Sequence, residues 1–113
     1  ERGHDTIDLC NATEIVAQLA DAINEDLSPQ KGQKALLHIN GLGATPLMEL
    51  HLIYNLAAKY WEDKGVEICR SLVGNYTTSL DMTGCSITLT LLDEEMIELW
   101  DAPVYTANLR WGL

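Results

Sequence analysis

Two long segments of the chain carry apolar residues at the spacing of an α-helix. The first begins at Asn11, which can cap a helix, and Glu14 stands three residues later as in a capping box. Its apolar stripe consists of Ala12, Ile15, Val16, Leu19 and Ile23. The second helix is expected to begin after Thr45, a suitable N-cap, and to run from Pro46 to Lys64 with apolar residues on most of its circumference.

Three shorter runs predict β-strands. Residues 34–40 and 66–73 are mainly apolar, and residues 86–91 alternate hydroxyl with apolar side chains. Acidic residues from Asp93 onward then predict a short third helix, which ends at Pro103. The order α-β-α-β-β-α predicts an α+β fold, namely a two-layer α/β sandwich whose small mixed sheet has helices on one face. We expect the third strand to pair antiparallel with the second.

The chain divides into three parts. Residues 1–10 have no clear period and are interpreted as a lead-in segment, whereas residues 11–103 hold all the predicted elements. Residues 104–113 contain Leu109 and Trp111 but no helical period, so we expect an extended C-terminal arm. A sheet of three strands is small, which indicates that the chain is part of something larger.

The charge of the chain excludes some classes of partner. Seven Lys and Arg residues against 17 Asp and Glu give a formal net charge of −10, which would repel nucleic acids and anionic membrane surfaces. No apolar run reaches the ~20 residues that span a bilayer. The three cysteines are widely spaced without a Cys-x-x-Cys pair. These features favour a reduced, cytoplasmic protein with no nucleic-acid or membrane partner.

Two motifs carry a resemblance to a known family. The first is Asn-Gly-Leu-Gly-Ala-Thr-Pro at residues 40–46, and the second is Thr-Ser-Leu-Asp-Met-Thr-Gly at residues 78–84. Both resemble the second domain of dihydroxyacetone kinases, at matching separation and over residues 33–113. The ending near Trp111 resembles the free-standing dihydroxyacetone-binding subunit. The resemblance implies that this chain is a C-terminal segment of a larger two-domain subunit, with residues 11–103 as part of its second domain.

The resemblance also implies where the chemistry of the family lies. In the family a histidine of a His-Gly-Glu-Pro-Gly element forms a hemiaminal with dihydroxyacetone, and a second subunit carries ADP or ATP with magnesium. This sequence has no such element, and His4 lacks the residues that should follow the histidine. We therefore expect no catalytic residue and no cofactor in this chain. Its expected partners are the subunit's first domain, the nucleotide-carrying subunit and a second copy in a homodimer.

The hydroxyl-rich stretch near residue 80 is the best equipped for chemistry. Thr77, Thr78, Ser79 and Asp81 could bind a polyol or order a partner. They could equally bond to neighbouring main-chain groups in a compact loop, as such residues usually do. We favour the structural interpretation and keep these four residues as a candidate functional loop.

The glycines and histidines give weaker signals. Gly41-x-Gly43 lacks the third glycine of a dinucleotide fingerprint and the lysine of a P-loop, so a tight turn explains it. Three scattered histidines do not predict a metal site. His38 is expected to be a satisfied core or interface histidine. His51 is the better functional candidate because it interrupts an apolar helix face.

Three functions remain open from the sequence. The chain could be part of an enzyme subunit that presents dihydroxyacetone for phosphorylation to dihydroxyacetone phosphate. It could instead belong to a sugar-sensing paralogue that acts as co-activator of a transcription regulator. A structural role in subunit association is the third. The apolar second helix, together with Leu109 and Trp111 on the arm, predicts self-association or packing against a missing domain.

Overall fold

A computed structural model describes residues 12–77, 84–107 and 109–112, so the predicted lead-in at residues 1–10 lies outside it. The elements are α1 (Ala12–Leu27), β1 (Lys34–Gly41), α2 (Leu47–Asp63), β2 (Glu67–Gly74), β3 (Cys85–Leu92), α3 (Glu94–Asp101), β4 (Val104–Tyr105) and β5 (Arg110–Trp111). The three predicted helices and three main strands are confirmed in type and order. The protein has an α+β fold with a small mixed sheet.

The main sheet has the order β2-β1-β3, with β1 parallel to β2 and antiparallel to β3. The expectation that β3 pairs with β2 is therefore wrong, since β1 lies between them. The burial of β1 explains this arrangement. Six of its eight residues are buried, from Ala35 to Leu37 and from Ile39 to Gly41, whereas β2 has one buried residue. A strand that is buried on both faces is stabilised most at the centre of the sheet, where both of its edges are paired.

The two long helices cover one face of the sheet, as predicted. Alternate residues of β1 point to this face, and Ala35, Leu37 and Ile39 are all fully buried. They pack in one cluster with residues of α2, among which Leu50, Ala57 and Trp61 are also fully buried. The remaining buried members of this cluster are Val16, Ala20, Ile53, Ala58, Val66 and Leu89. The apolar residues that repeat with period two in β1 and with period 3.6 in the helices thus pack into a single core.

The short helix α3 is tied to the sheet by two ion pairs. Lys34 Nζ lies 3.2 Å from Glu94 Oε1 at the start of the helix. Arg70 Nε and Nη2 donate to the two carboxylate oxygens of Asp101 at its end, over 2.7 and 2.5 Å. Asp93 caps the helix, because its carboxylate accepts from Met96 N–H over 2.8 Å. Helix α3 therefore bridges from the end of β3 to β2.

The C-terminal residues form a small hairpin where an extended arm was expected. Val104 pairs with Trp111, and Tyr105 pairs with Arg110. The Trp111 ring packs 5.1 Å from Trp100, and its Nε1 donates to the Ala102 carbonyl over 2.9 Å. Strands of two residues are too short to produce a detectable alternation in sequence. The division of the chain at residue 103 stays a prediction.

Candidate functional site

The two sequence motifs lie side by side at the end of β1. Asn40, the residue before the glycine turn, is 5% exposed. Its Oδ1 accepts hydrogen bonds from the main-chain N–H groups of Tyr76 and Thr77, both over 2.9 Å. Its Nδ2 donates to the carbonyl of Thr77 over 2.6 Å and to that of Gly41 over 3.2 Å. The amide thus uses both its acceptor and its donors to hold the first stem of the polar loop, residues 77–83.

Thr45 holds the other stem of the polar loop. Its hydroxyl accepts from Gly84 N–H and donates to the Gly84 carbonyl, both over 2.8 Å. A third bond runs from Leu42 N–H to the same carbonyl over 3.1 Å. The prediction that Thr45 caps α2 is wrong, because Pro46 occupies the cap position without a side-chain hydrogen bond. The tertiary contact with Gly84 uses the hydroxyl that a local cap would have required.

The glycines of the turn are explained by close packing. A Cβ atom on Gly41 would lie 2.2 Å from Asn75 Oδ1 and 2.8 Å from Leu50 Cδ1, so only glycine fits there. Gly43 has a φ of +104°, and its N–H donates to Asn75 Oδ1 over 3.3 Å. Asn75 therefore links the turn to the end of β2. Gly43 has the dihedral that a tight turn requires of glycine, and the choice of a structural over a ligand-binding role stays a prediction.

The predicted loop residues fall partly within the described chain. Thr77 is exposed, and its main chain is held by Asn40 as given above. Thr78, Ser79 and Asp81 lie outside the described residues, and their role stays a prediction. The stems at Thr77 and Gly84 are both held by hydrogen bonds from buried side chains. Loops on fixed stems are common positions for binding residues.

His51 lies in a different environment from the loop stems. It is exposed on α2, between the exposed apolar residues Met48 and Leu52, which are 84% and 50% accessible. Leu47, one turn earlier, is 53% accessible. The prediction that α2 is apolar on most of its circumference is therefore confirmed. Within the described residues no hydrogen bond or ring contact joins His51 to the loop stems, and its functional role stays a prediction.

His38 differs from the satisfied histidine that was expected. It lies on β1 two residues before Asn40, and its ring meets that of Tyr76 edge-on at 5.8 Å. Its Nε2 is buried and makes no hydrogen bond within the described residues. Burial lowers the pKa of His38, which favours the neutral ring. His38 and Tyr76 thus form an aromatic support beneath the first loop stem.

Sequence reasoning missed the two residues that hold the loop. Both belong to the motif at residues 40–46, but the sequence predicts no site role for Asn40 and only a helix cap for Thr45. A polar residue that ends a buried strand directly before glycine was the available signal for Asn40, since a buried amide must find partners. No group of three His, Cys, Asp or Glu side chains within the described residues could hold a metal ion. No helix in that same part of the chain is long and apolar enough to cross a membrane.

Comparison with known proteins assigns the family. The Dak1 domain matches residues 1–108, so the chain belongs to the Dak1 domain family. It is 51% identical over 83 residues to the dihydroxyacetone-binding subunit DhaK of the PEP-dependent dihydroxyacetone kinase of Escherichia coli, covering 74% of this chain and 23% of that one. It is 40% identical over 99 residues to the corresponding subunit of PTS-dependent dihydroxyacetone kinase 2 of Listeria innocua, covering 88% and 30%.

A solved structure confirms the fold. The dihydroxyacetone kinase operon co-activator DhaQ superposes with a TM-score of 0.82 at 27% identity, over 91% of this chain and 33% of that one. The chain thus spans between about a quarter and a third of the relatives it matches. The resemblance seen in the two motifs is confirmed at the level of the family and of a DhaK-type domain.

Proposed function

We propose that this chain is the C-terminal segment of the dihydroxyacetone-binding subunit of a dihydroxyacetone kinase. The complete subunit presents dihydroxyacetone for phosphorylation to dihydroxyacetone phosphate. The observation that carries the proposal is the double anchoring of the polar loop, by Asn40 at one stem and Thr45 at the other. Identity of 51% to a kinase subunit over 83 residues supports the kinase in preference to other functions.

The role of this segment is positioning. Thr77, Thr78, Ser79 and Asp81 supply hydroxyl and carboxylate groups between the two anchored stems. Orientation of a small substrate contributes much of the rate of a transfer reaction, so anchored stems are useful near the sugar or near the partner that delivers the phosphoryl group. The segment contributes no nucleophile in this proposal.

The other components lie outside this chain. The described residues hold no cluster of acidic side chains suited to magnesium, and the Gly41-x-Gly43 turn lacks a P-loop lysine. In this proposal ADP or ATP with magnesium is carried by the partner subunit, as the family resemblance implies. We also propose that the complete subunit is cytoplasmic and homodimeric, and that its first domain packs against this segment.

The experiment uses the complete polypeptide that contains these residues. It is mixed with a nucleotide-carrying subunit, a phosphoryl donor and dihydroxyacetone, and formation of dihydroxyacetone phosphate is followed. We expect turnover, and we expect Asn40→Asp to lower it by roughly 10-fold or more because the loop loses its orientation. Asn55→Asp makes the same chemical change at an exposed position of α2 and should have little effect. Absence of turnover in the wild-type polypeptide would contradict the proposal.

The second candidate is a segment of a dihydroxyacetone-sensing co-activator. It is favoured by the TM-score of 0.82 to a co-activator of the dihydroxyacetone kinase operon. The same polypeptide distinguishes the two functions. A co-activator would bind dihydroxyacetone and a transcription regulator but would not support phosphoryl transfer. A kinase subunit would support the transfer.

A further inference from the structure

His38 is a titratable side chain of the sheet that the proposed function does not use. It lies on β1 two residues before Asn40, so both side chains are on the face of the sheet opposite to that covered by α1 and α2. Its Nε2 is buried and has no hydrogen-bond partner among the described residues. A buried ring nitrogen without a partner costs much more when the ring is charged than when it is neutral. The sheet therefore accepts His38 in its neutral form.

The strands on both sides of His38 place no opposite charge beside it. In the register of the sheet it lies between Leu72 of β2 and Thr88 of β3, and neither of these side chains ionises. Arg70 lies on the same face of β2, two residues before Leu72, and it is already bonded to both carboxylate oxygens of Asp101 on α3. Burial lowers the pKa of His38. A proton on this ring would thus add a positive charge that no neighbouring strand balances.

Tyr76 connects His38 to the first stem of the polar loop. It is the titratable group that contacts His38 from this stem, with the two ring centroids 5.8 Å apart. The same ring packs on Gly74, where an added Cβ would lie 2.9 Å from Tyr76 Cε2. The main-chain N–H groups of Tyr76 and Thr77 both donate to Asn40 Oδ1 over 2.9 Å. A movement of the Tyr76 ring would therefore disturb the bonds that hold the stem.

Tyr76 is also the neighbour of His38 that can move most readily. It is 39% exposed and lies beyond the end of β2, whereas the residues beside His38 in β2 and β3 are held in paired strands. A protonated imidazole has to be hydrated when no acceptor is present, and water can reach the buried Nε2 only if a neighbour is displaced. The Tyr76 ring is the group whose displacement breaks the fewest hydrogen bonds of the sheet.

We propose that His38 is a pH-sensitive switch of the first loop stem, in which protonation of its ring displaces Tyr76 and weakens the hydrogen bonds of Tyr76 and Thr77 to Asn40. The folded stem binds fewer protons than the opened one, so its stability decreases as the pH falls below the ordinary histidine value of about 6.5. The consequence for activity rests on the proposed function. The rate of dihydroxyacetone phosphate formation should fall in the same pH range, because the stem loses an anchor.

The titration of His38 in the complete polypeptide tests the first step. Histidine-selective isotope labelling gives the imidazole signals, and His38→Leu assigns the signal that disappears. We expect the pKa of His38 to lie below the ordinary value of about 6.5. A pKa at or above that value would show that the protonated ring has a partner in the complete protein, and would overturn the proposal.

Hydrogen exchange at the stem tests the second step. After correction for the intrinsic effect of pH on exchange, protection of the Tyr76 and Thr77 N–H groups should fall by roughly 3-fold or more between about pH 7.5 and about pH 5.5. His38→Leu keeps an apolar side chain beneath Tyr76 and should remove most of this fall. His51→Gln removes an exposed histidine of α2 and should retain it. No fall in the wild type, or an equal fall in His38→Leu, would overturn the proposal.

The kinase assay gives a separate readout of the same switch. Between these two pH values the rate should decrease more in the wild type than in His38→Leu, and an equal decrease would contradict the control of activity by His38. Absence of turnover at every pH would contradict the proposed function. It would leave the titration and exchange tests interpretable, since neither needs sugar or turnover.

Discussion

The side-chain amide of Asn40 and the main chain of Thr77 exchange two hydrogen bonds, as the main chains of two paired strands do. The amide of Asn40 accepts from Thr77 N–H over 2.9 Å and donates to the Thr77 carbonyl over 2.6 Å. The amide uses both Oδ1 and Nδ2, because the Thr77 main chain presents an N–H donor and a carbonyl acceptor to it. This pair joins the end of β1 to the first stem of the polar loop.

Asn40→Asp should therefore destabilise the protein although it preserves the shape of the side chain. The carboxylate still accepts from Tyr76 and Thr77, but it faces the Thr77 carbonyl without a proton to donate. We expect a loss of about 1–3 kcal/mol in the free energy of unfolding, measured by urea denaturation at neutral pH. Asn55→Asp, at an exposed position, should change it by less than about 0.5 kcal/mol. Equal effects of the two substitutions would show that the pair contributes nothing.

The hydroxyl of Thr45 should be required for the stability of the protein, whereas its methyl group should not. Thr45→Val keeps the shape but removes both bonds to Gly84, whose main-chain groups then lose a buried partner. The expected loss is about 1–3 kcal/mol, whereas Thr45→Ser should recover most of it. Faster exchange of the Gly84 N–H in Thr45→Val than in Thr45→Ser would locate the effect at the loop stem. Stability of Thr45→Val equal to wild type would refute the anchoring role.

The ion pair between Arg70 and Asp101 should make stability depend on acid pH. The hydrogen bonds from Arg70 lower the pKa of Asp101, and charge attraction adds to this. A carboxylate whose pKa is lower in the folded state stabilises the fold above its unfolded pKa of about 4, and this contribution is lost as the pH falls through the folded value. In Asp101→Asn the urea midpoint of unfolding should therefore decrease less between neutral and acid pH than it does in the wild type. Asp63→Asn, an exposed change at the end of α2, should decrease as the wild type does.

The phenol of Tyr60 should titrate at a higher pH than an ordinary tyrosine. Burial raises the pKa of Tyr60 to about 12, and its hydrogen bond to Asp21 Oδ1 adds to the rise. The protonated phenol thus stabilises the fold below the unfolded pKa of about 10, and this contribution is lost as the pH rises through about 12. In a titration of phenolate absorbance, with Tyr60→Phe as reference, Asp21→Asn should bring Tyr60 to a lower pKa. Glu25→Gln, one turn further along α1, should leave it unchanged.

The 113-residue chain by itself should show no kinase activity with a nucleotide-carrying subunit, a phosphoryl donor and dihydroxyacetone. The sequence has no His-Gly-Glu-Pro-Gly element, which the family resemblance implies as the source of the histidine that anchors the sugar, so we expect no hemiaminal with this chain. The coupled assay should give the rate of a mixture that lacks the chain, and the Escherichia coli subunit serves as positive control. Turnover by the chain alone would mean that His4, His38 or His51 has a catalytic role.

Much of the fold could be predicted because its signals are local. The period of α2 and the alternation of Ser86, Thr88 and Thr90 are visible within a few residues, and each predicted element exists. The order of the strands in the sheet could not be predicted from neighbouring residues in the sequence. Whether β3 lies beside β2 or beyond β1 depends on which strand has the most apolar surface to bury on both faces. The hairpin after Pro103 was missed because its strands are two residues long.

The sequence by itself determined the helices, the strands and the two motifs that mark the Dak1 domain family. Only the tertiary structure decided what those motifs do together. Asn40 and Thr77 are 37 residues apart, and Thr45 and Gly84 are 39 residues apart. A side-chain amide or hydroxyl has several local uses, such as a helix cap, and the pattern of the chain cannot choose among them. The choice is made when β1 pairs with β2 and with β3, which brings Thr77 beside Asn40 and Gly84 beside Thr45. A polar group that is buried in this way must bond to the partner that lies next to it.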